Sequence, residues 1–355
     1  GVTPSMETSV DVVAAARAAQ RNVEALTRSA ALGLPPLIDR VFLVTGASSG
    51  IGRFTAELLV SLNCTVLLHG RDGKRVLGTM RKIQQTHRQG KMDGFEADLS
   101  RMKEVRELAA VISERYPVIH GILHNAATID GDYKGQKKVT REDNEHTVAT
   151  NALAPFLLTS LLLPNVVASG AGRVIFSSSR TMGSGRFLDD LKCETDWSGM
   201  HAYGLSKLCN AMLAAELHER LGDAPRLTFH AINPGRADTK LARQGASWGK
   251  GPRKARKALA PILGLLPNVR TTTSSFKALT EDRFQEVSGL MLKGAAPEVY
   301  NKGMRAKLWE DLEELTGAVW PSRDTPAEIV SEQDALAERI PEQDTLPEVV
   351  TDEDT

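Results

Sequence analysis

Two residues four apart, Tyr203 and Lys207 in Ala202-Tyr-Gly-Leu-Ser-Lys207, could move a proton. On a helix they share one face and stand one turn from each other. A free phenol titrates near about pH 10, too high for proton exchange at neutral pH. An ammonium one turn away favours the phenolate, so Lys207 is expected to bring the phenol down. The pair then offers a general acid/base, although the spacing alone is common on helix surfaces. A second stretch supplies a place for a reagent. Val41-Phe-Leu-Val-Thr45 runs into Gly46-Ala-Ser48-Ser49-Gly50-Ile51-Gly52, and an amphipathic segment follows from Arg53. That is the order strand, tight loop, helix. Backbone N–H groups and the positive end of a helix dipole converge there, which suits a pyrophosphate. Gly46, Ser48, Ser49, Gly50, Ile51, Gly52 and Arg53 are candidate cofactor contacts.

The second strand sharpens the identity of that cofactor. Thr65-Val-Leu-Leu-His69 ends in Gly70-Arg71-Asp72. A carboxylate at the strand end would hold the ribose 2′-OH of NAD. Gly70 takes that place and Arg71 follows, a guanidinium suited to the 2′-phosphate of NADP(H), with Arg53 and Arg75 in support. Asp98 and Leu99 close the third strand, beside the expected adenine. No His, Cys, Asp and Glu set has metal-ligand spacing, so no metal is expected. His124, His201 and His230 each have an ordinary place at a strand end or helix start.

The elements that must position these groups are legible as alternation. Strands are expected at 41–45, 64–69, 93–97, 119–124, 173–178, 227–232 and 288–292. Helical patterns fill the gaps, most clearly at 143–163 and 201–221. This is an α/β fold, a doubly wound parallel seven-stranded sheet with its ligand at the carboxyl ends of the strands. The domain spans 37–318. Residues 1–36 form an extension whose small apolar residues recur in helical steps from Ser9 to about Leu32. The stretch 240–270 breaks the rhythm with a basic run (Lys250 to Lys257) and then Leu259 to Pro267, and reads as a substrate lid. Residues 319–355 read as a disordered acidic tail. From 321 onward they hold eleven acids against two arginines, and Glu332-Gln-Asp-Ala-Leu336 recurs as Glu342-Gln-Asp-Thr-Leu346.

Composition excludes little. Forty-four basic residues balance forty-four acidic ones, so nothing calls for nucleic acid. Cys64, Cys193 and Cys209 argue against a disulfide framework and for a reducing compartment, cytoplasmic or an organelle matrix or stroma. The chain begins with Gly1, so a removed targeting peptide is one reading. No apolar run comes near the roughly 20 residues of a membrane span. Peripheral membrane or protein contact through 1–32, 250–266 or the acidic tail stays open, as does a homo-oligomer.

Taken together, these motifs resemble the short-chain dehydrogenase/reductase superfamily. The loop from Thr45 to Gly52 is similar to its Thr-Gly-x-x-x-Gly-x-Gly, and Tyr203 with Lys207 to its catalytic pair. The likeness runs on through Asn125-Ala126, Asn151, Arg173-Val-Ile-Phe-Ser-Ser-Ser179 and Asn233-Pro234-Gly235, covering about 38–318. His69-Gly-Arg71-Asp72, Asn151 to Thr159, Ala202 to Asn210, Ser288 to Leu292 and Leu308 to Asp311 resemble its retinol-dehydrogenase-like branch. The resemblance implies a Rossmann fold and a carbonyl–alcohol interconversion on a fairly apolar small molecule. It implies Tyr203 as acid/base, Lys207 on the nicotinamide ribose, and Ser179 on the substrate oxygen, with Ser178 as the fallback. Asn151 would hold a water that passes protons to Lys207. Asn125 would brace the sheet or touch the adenosine ribose, and Ala126 would lie beside it. Pro234, Gly235 and Thr239 would approach the nicotinamide. Two departures stand out: Ala127 where the pattern has glycine, costly if that position needs positive φ, and Ala154-Pro155 where this branch has Gly-His. They leave room for a catalytically weak nucleotide-binding structural or regulatory subunit. Reduction of a carbon–carbon double bond, as in tetrapyrrole-reducing relatives, is a third reading.

Overall fold

The computed structural model describes residues 36–130, 136–183, 185–195, 197–221, 226–234, 273–285, 287–292 and 297–321. The expected helix in 1–36, the lid at 240–270, Gly235, Thr239 and nearly all of the acidic tail lie outside the described residues. The chain divides after Trp320, and every element below belongs to the first unit.

Seven parallel strands form one sheet: β1 Val41–Val44, β2 Thr65–Gly70, β3 Lys91–Glu96, β4 Gly121–His124, β5 Arg173–Ser177, β6 Thr228–Ile232 and a three-residue β7, Leu290–Leu292. Their order is 3-2-1-4-5-6-7. β1 pairs with β2 on one side (Val41 opposite Thr65) and with β4 on the other (Phe42 opposite Gly121). The chain first builds outward to β3, then returns past β1 to build the other half. The switch point therefore lies between the ends of β1 and β4, where an open α/β sheet binds its ligand.

Near-continuous apolar strands are what a sheet covered on both faces requires. Alternate residues feed two cores. Leu43, Leu67 and Ile122 join the layer under α3 (Met102–Arg115), α4 (Ala154–Val167) and α5 (Gly199–Leu221). Phe42, Val44, Val66, Leu68 and Leu123 join the other, under α1 (Gly50–Ser61), α2 (Gly73–Thr86) and α6 (Ser274–Thr280). The last helix, α7 (Lys302–Thr316), sets Trp309 edge-on to Phe156, and Trp320, just beyond the helix, packs on the same ring at a tilt.

The single helix expected at 143–163 is not what forms. One turn, His146–Val148, leads into a π-turn at Ala149–Leu153, and only then does α4 begin. The reason is Pro155. It has no N–H to give the carbonyl four residues back, that of Asn151, so the α ladder cannot pass. The Ala154-Pro155 departure thus shapes the backbone at Asn151. A second correction concerns membranes. The helical run His146–Val167 is long and apolar enough to cross a bilayer, but 83% of its most apolar 18-residue stretch is buried in the protein, so it is a core element.

Candidate active site

At the switch point, Thr45 ties two turns together. Its Oγ1 donates to the Leu123 carbonyl at 3.3 Å and accepts from the N–H groups of Asn125 and Ala126, each at 3.0 Å. Gly46 and Gly50 have φ of +67° and +59°. A Cβ on Gly46 would lie 2.7 Å from Ala126 Cα, and one on Gly52 would lie 2.6 Å from the Gly46 carbonyl oxygen. Glycine at 46 is therefore required twice, by conformation and by space. Of the two roles expected for Asn125, bracing is the one seen: its amide donates to the Thr45 carbonyl at 3.0 Å.

A cavity of about 290 Å³ opens over this loop. Gly46, Ser48, Ser49, Gly50 and Ile51 line one wall, Arg71 and Arg75 another, and Asp98 and Leu99 a third. Ala126, Ala127, Thr128 and Thr150 close it toward the sheet's centre. Arg53 is not in the lining, whereas Arg75 is. Asp72 is no substitute for the missing ribose carboxylate, because its Oδ1 caps α2 by accepting from Arg75 N–H at 3.1 Å. Nor is there room at position 70, where a Cβ would meet Val76 at 2.8 Å. Ala127 is not among the non-glycine residues with positive φ. The alanine sits there without the strain that its departure from the pattern suggested.

The proton-handling groups gather at the end of β5. Lys207 is buried and donates through Nζ to the Ser177 carbonyl at 2.9 Å. Burial brings its ammonium down to about 7. Its Nζ lies 5.5 Å from the Tyr203 ring centroid. Tyr203 is held above the ordinary phenol value by burial, opposed by a hydrogen bond with Ser179. This corrects the expectation that Lys207 lowers the phenol. A desolvated lysine near 7 is only partly charged at neutral pH, and its N–H is directed at the Ser177 carbonyl.

The run of three serines divides its tasks. Ser178 Oγ, buried, donates to the Lys207 backbone carbonyl at 2.7 Å. Ser179 Oγ bonds Tyr203, shares a hydrogen bond with Thr181 Oγ1 at 2.9 Å, and accepts from Thr181 N–H at 3.2 Å. The fallback residue Ser178 is thus engaged in holding the helix, and Ser179 is the serine at the phenol.

Asn151 is fully buried, and its side chain is spent. Oδ1 accepts from Thr128 N–H at 2.8 Å, and Nδ2 donates to the Thr128 carbonyl at 2.9 Å and to Ser206 Oγ at 3.1 Å. Ser206 Oγ in turn donates to the Tyr203 carbonyl at 2.8 Å. The side chain therefore ties the turn after β4 to the helix of Tyr203. Sequence reasoning passed over Ser206 and Thr128. Ser206 could have been found, since a serine three residues after Tyr203 is placed to bond its carbonyl. Nothing local marked Thr128. Pro234 is half-buried just past β6.

The histidines have other tasks. His124 bonds Thr159 Oγ1 at 2.8 Å and stacks on Phe176, and burial brings it down to about 3. His230 bonds the Phe284 carbonyl at 2.9 Å, and the His201 ring packs on Phe187. Met182 and Trp197, expected as apolar wall, are half-buried against the core, whereas Met200 is exposed.

The chain is similar to known proteins. The short chain dehydrogenase family matches residues 40–250. A polyprenol dehydrogenase of Danio rerio is 30% identical over 80% of this chain and 89% of its own. Retinol dehydrogenase 13 of Homo sapiens is 30% identical over 81% and 88%. Among solved structures, a short chain dehydrogenase of Shigella flexneri complexed with NADP superposes with a TM-score of 0.54, at 26% identity over 71% of this chain and 95% of that one.

Proposed function

The chain belongs to the short-chain dehydrogenase/reductase superfamily, in its retinol-dehydrogenase-like branch, and is an oxidoreductase of the alcohol–carbonyl class; from that premise we propose that its cofactor is NADP(H) and its substrate a fairly apolar small molecule. The observation that carries the chemistry is the half-buried Tyr203 phenol bonded to Ser179 beside Lys207. The observation that carries the cofactor is the pairing of Arg71 and Arg75 on one cavity wall with a position 70 too tight for a carboxylate-bearing side chain.

The residues present fit a dinucleotide. The glycine loop leaves a cradle that a Cβ would fill, and Ser48 to Ile51 present backbone N–H groups at the start of α1. Asp98 and Leu99 would flank the adenine, and Arg71 and Arg75 would hold the 2′-phosphate. When bound, the nicotinamide supplies or accepts the hydride. The chain's own residues handle the proton. Tyr203 gives it to the carbonyl oxygen in reduction and takes it from the hydroxyl in oxidation. Ser179 donates a hydrogen bond to that same oxygen, and Lys207 holds the ribose and exchanges protons behind the phenol.

An apolar substrate is supported by the half-buried Met182, Phe187 and Trp197 on the segment that leads from Ser179 to Tyr203, where Phe187 packs on His201, and by relatives named for polyprenol and retinol. The main argument for a retired, structural subunit was Ala127, and that residue is unstrained. We further propose 37–318 as the catalytic domain with 240–270 as its lid, working in a reducing compartment, in keeping with three buried cysteines outside any disulfide.

The test is titration of the protein with NADPH and NADH, with Arg71→Ala beside it. NADPH should bind more tightly, and the variant should lose about tenfold or more of that affinity with little change for NADH. A preference for NADH in the unaltered protein would overturn the Arg71 argument. Tyr203→Phe should abolish turnover on an aldehyde panel while keeping NADPH affinity.

A further inference from the structure

Glu145 is a carboxylate only 1% exposed, and it serves two segments at once. Oε2 accepts from Val148 N–H at 2.7 Å, capping the turn that leads into the Asn151 π-turn. Oε1 accepts from the Trp197 indole N–H at 3.2 Å. A cap alone does not call for this residue type, since serine, threonine, aspartate or asparagine does it better. A buried carboxylate is also expensive to desolvate unless both oxygens are used. The second bond is what accounts for glutamate here.

Trp197 lies on the segment joining Ser179 to the helix of Tyr203. That segment is fastened to residues 136–145 at two further points. Lys137 Nζ donates to the Cys193 carbonyl at 3.1 Å, and Lys192 pairs with Asp143 at 2.8 Å. Asp143 and Cys193 have φ of +59° and +51°, a conformation that non-glycine residues hold only where their surroundings over-determine it. Two strained segments meeting face to face, with a buried carboxylate on an indole between them, make a built wall rather than a loose loop. Trp197 packs on the same core as Met182 and Phe187, so the indole is fixed at both its ring and its N–H.

We propose that Glu145 is a positioning residue that holds Trp197, through the indole N–H, as the fixed wall orienting an apolar substrate toward Ser179 and Tyr203. The proposal rests on the reading of Ser179 and Tyr203 as the reacting centre. It assigns Glu145 a role in substrate selection, acting through the indole, and no part in the proton transfer.

The experiment compares Glu145→Ala, Glu145→Gln and Trp197→Phe with the unaltered protein on butanal and dodecanal with NADPH. Glutamine keeps one acceptor oxygen where the carboxylate has two, so it can serve the indole only by turning its NH2 toward the Val148 N–H, and phenylalanine keeps a ring without the donor. In Glu145→Ala and Trp197→Phe the ratio of kcat/KM for dodecanal to that for butanal should fall about tenfold, mainly through KM, with NADPH affinity retained. Glu145→Gln, with one acceptor for two donors, should fall between the alanine variant and the unaltered protein. Equal losses on both aldehydes, or an unchanged ratio in Glu145→Ala, would overturn the proposal. If the unaltered protein reduces neither aldehyde, the reading of the reacting centre fails separately. The wall is then read by the Trp197 indole N–H resonance of isotope-labelled protein, assigned with Trp197→Phe. It should move in Glu145→Ala and shift when dodecanol is added. A resonance indifferent to Glu145→Ala or to dodecanol overturns the proposal.

Discussion

The Lys207 ammonium donates to the backbone carbonyl of Ser177 at 2.9 Å, joining the carboxyl end of β5 to the middle of the helix that carries Tyr203. Ser178 returns the bond by donating to the Lys207 carbonyl at 2.7 Å. Strand and helix are thus locked to each other at two consecutive serines, and the next residue, Ser179, is left to face the phenol.

That lock makes stability depend on pH in a definite direction. Lys207 has its folded value near 7, below its ordinary 10.5, because burial disfavours the charge. Below about pH 7 both folded and unfolded chains carry the proton, and the destabilisation is fully present. Between about 7 and 10.5 only the unfolded chain keeps it, so stability rises with pH. Urea unfolding of the protein and of Lys207→Met, which cannot titrate, isolates this group. The unaltered protein should gain on the variant by up to about 4 kcal/mol between neutral and alkaline pH. A constant difference across that window would contradict the burial argument.

The two serines should separate cleanly. Ser178→Ala removes a buried cap on the Lys207 carbonyl and should cost about 1 kcal/mol of stability with kcat within a few-fold of normal. Ser179→Ala should lower kcat by about 100-fold. It should also displace the pH profile of alcohol oxidation. Ser179 is the contact that lowers Tyr203 against the upward push of burial. Without it the phenol loses its proton at higher pH, and the rising limb of oxidation moves to higher pH with it. A profile displaced by Ser178→Ala and not by Ser179→Ala would reverse the assignment.

Alanine at two glycines should act in opposite directions. At Gly46 the φ of +67° and a Cβ only 2.7 Å from Ala126 Cα predict a loss of about 2 kcal/mol or more, with weakened NADPH binding. Gly78 lies inside α2 with nothing within 4 Å of a Cβ, so Gly78→Ala should stabilise by roughly 0.5–1 kcal/mol. Thermal unfolding of the two variants with and without NADPH is the measurement.

Most of the framework was legible because its signals are local. Apolar runs of strand length, three glycines between a strand and a helix, and Tyr and Lys one turn apart depend on neighbours within a few residues. They led to the parallel sheet and to the cavity at the switch point. Arg71 was legible for the same reason, standing next to the strand end.

What the sequence set out by itself was the expected kind of chemistry, a tyrosine and a lysine one turn apart downstream of a glycine loop suited to a nucleotide. Tertiary structure decided how those groups are poised. Which serine meets the phenol depends on which hydroxyl Lys207's carbonyl has already taken. Where the Asn151 amide goes depends on Thr128 and Ser206, far apart in the chain and brought together only by the π-turn that Pro155 imposes. The direction in which Tyr203 and Lys207 titrate depends on burial, a property of the packed layers around α5. Local spacing places two groups on one face of a helix; only the surrounding fold sets how much water, and which partner, each of them keeps.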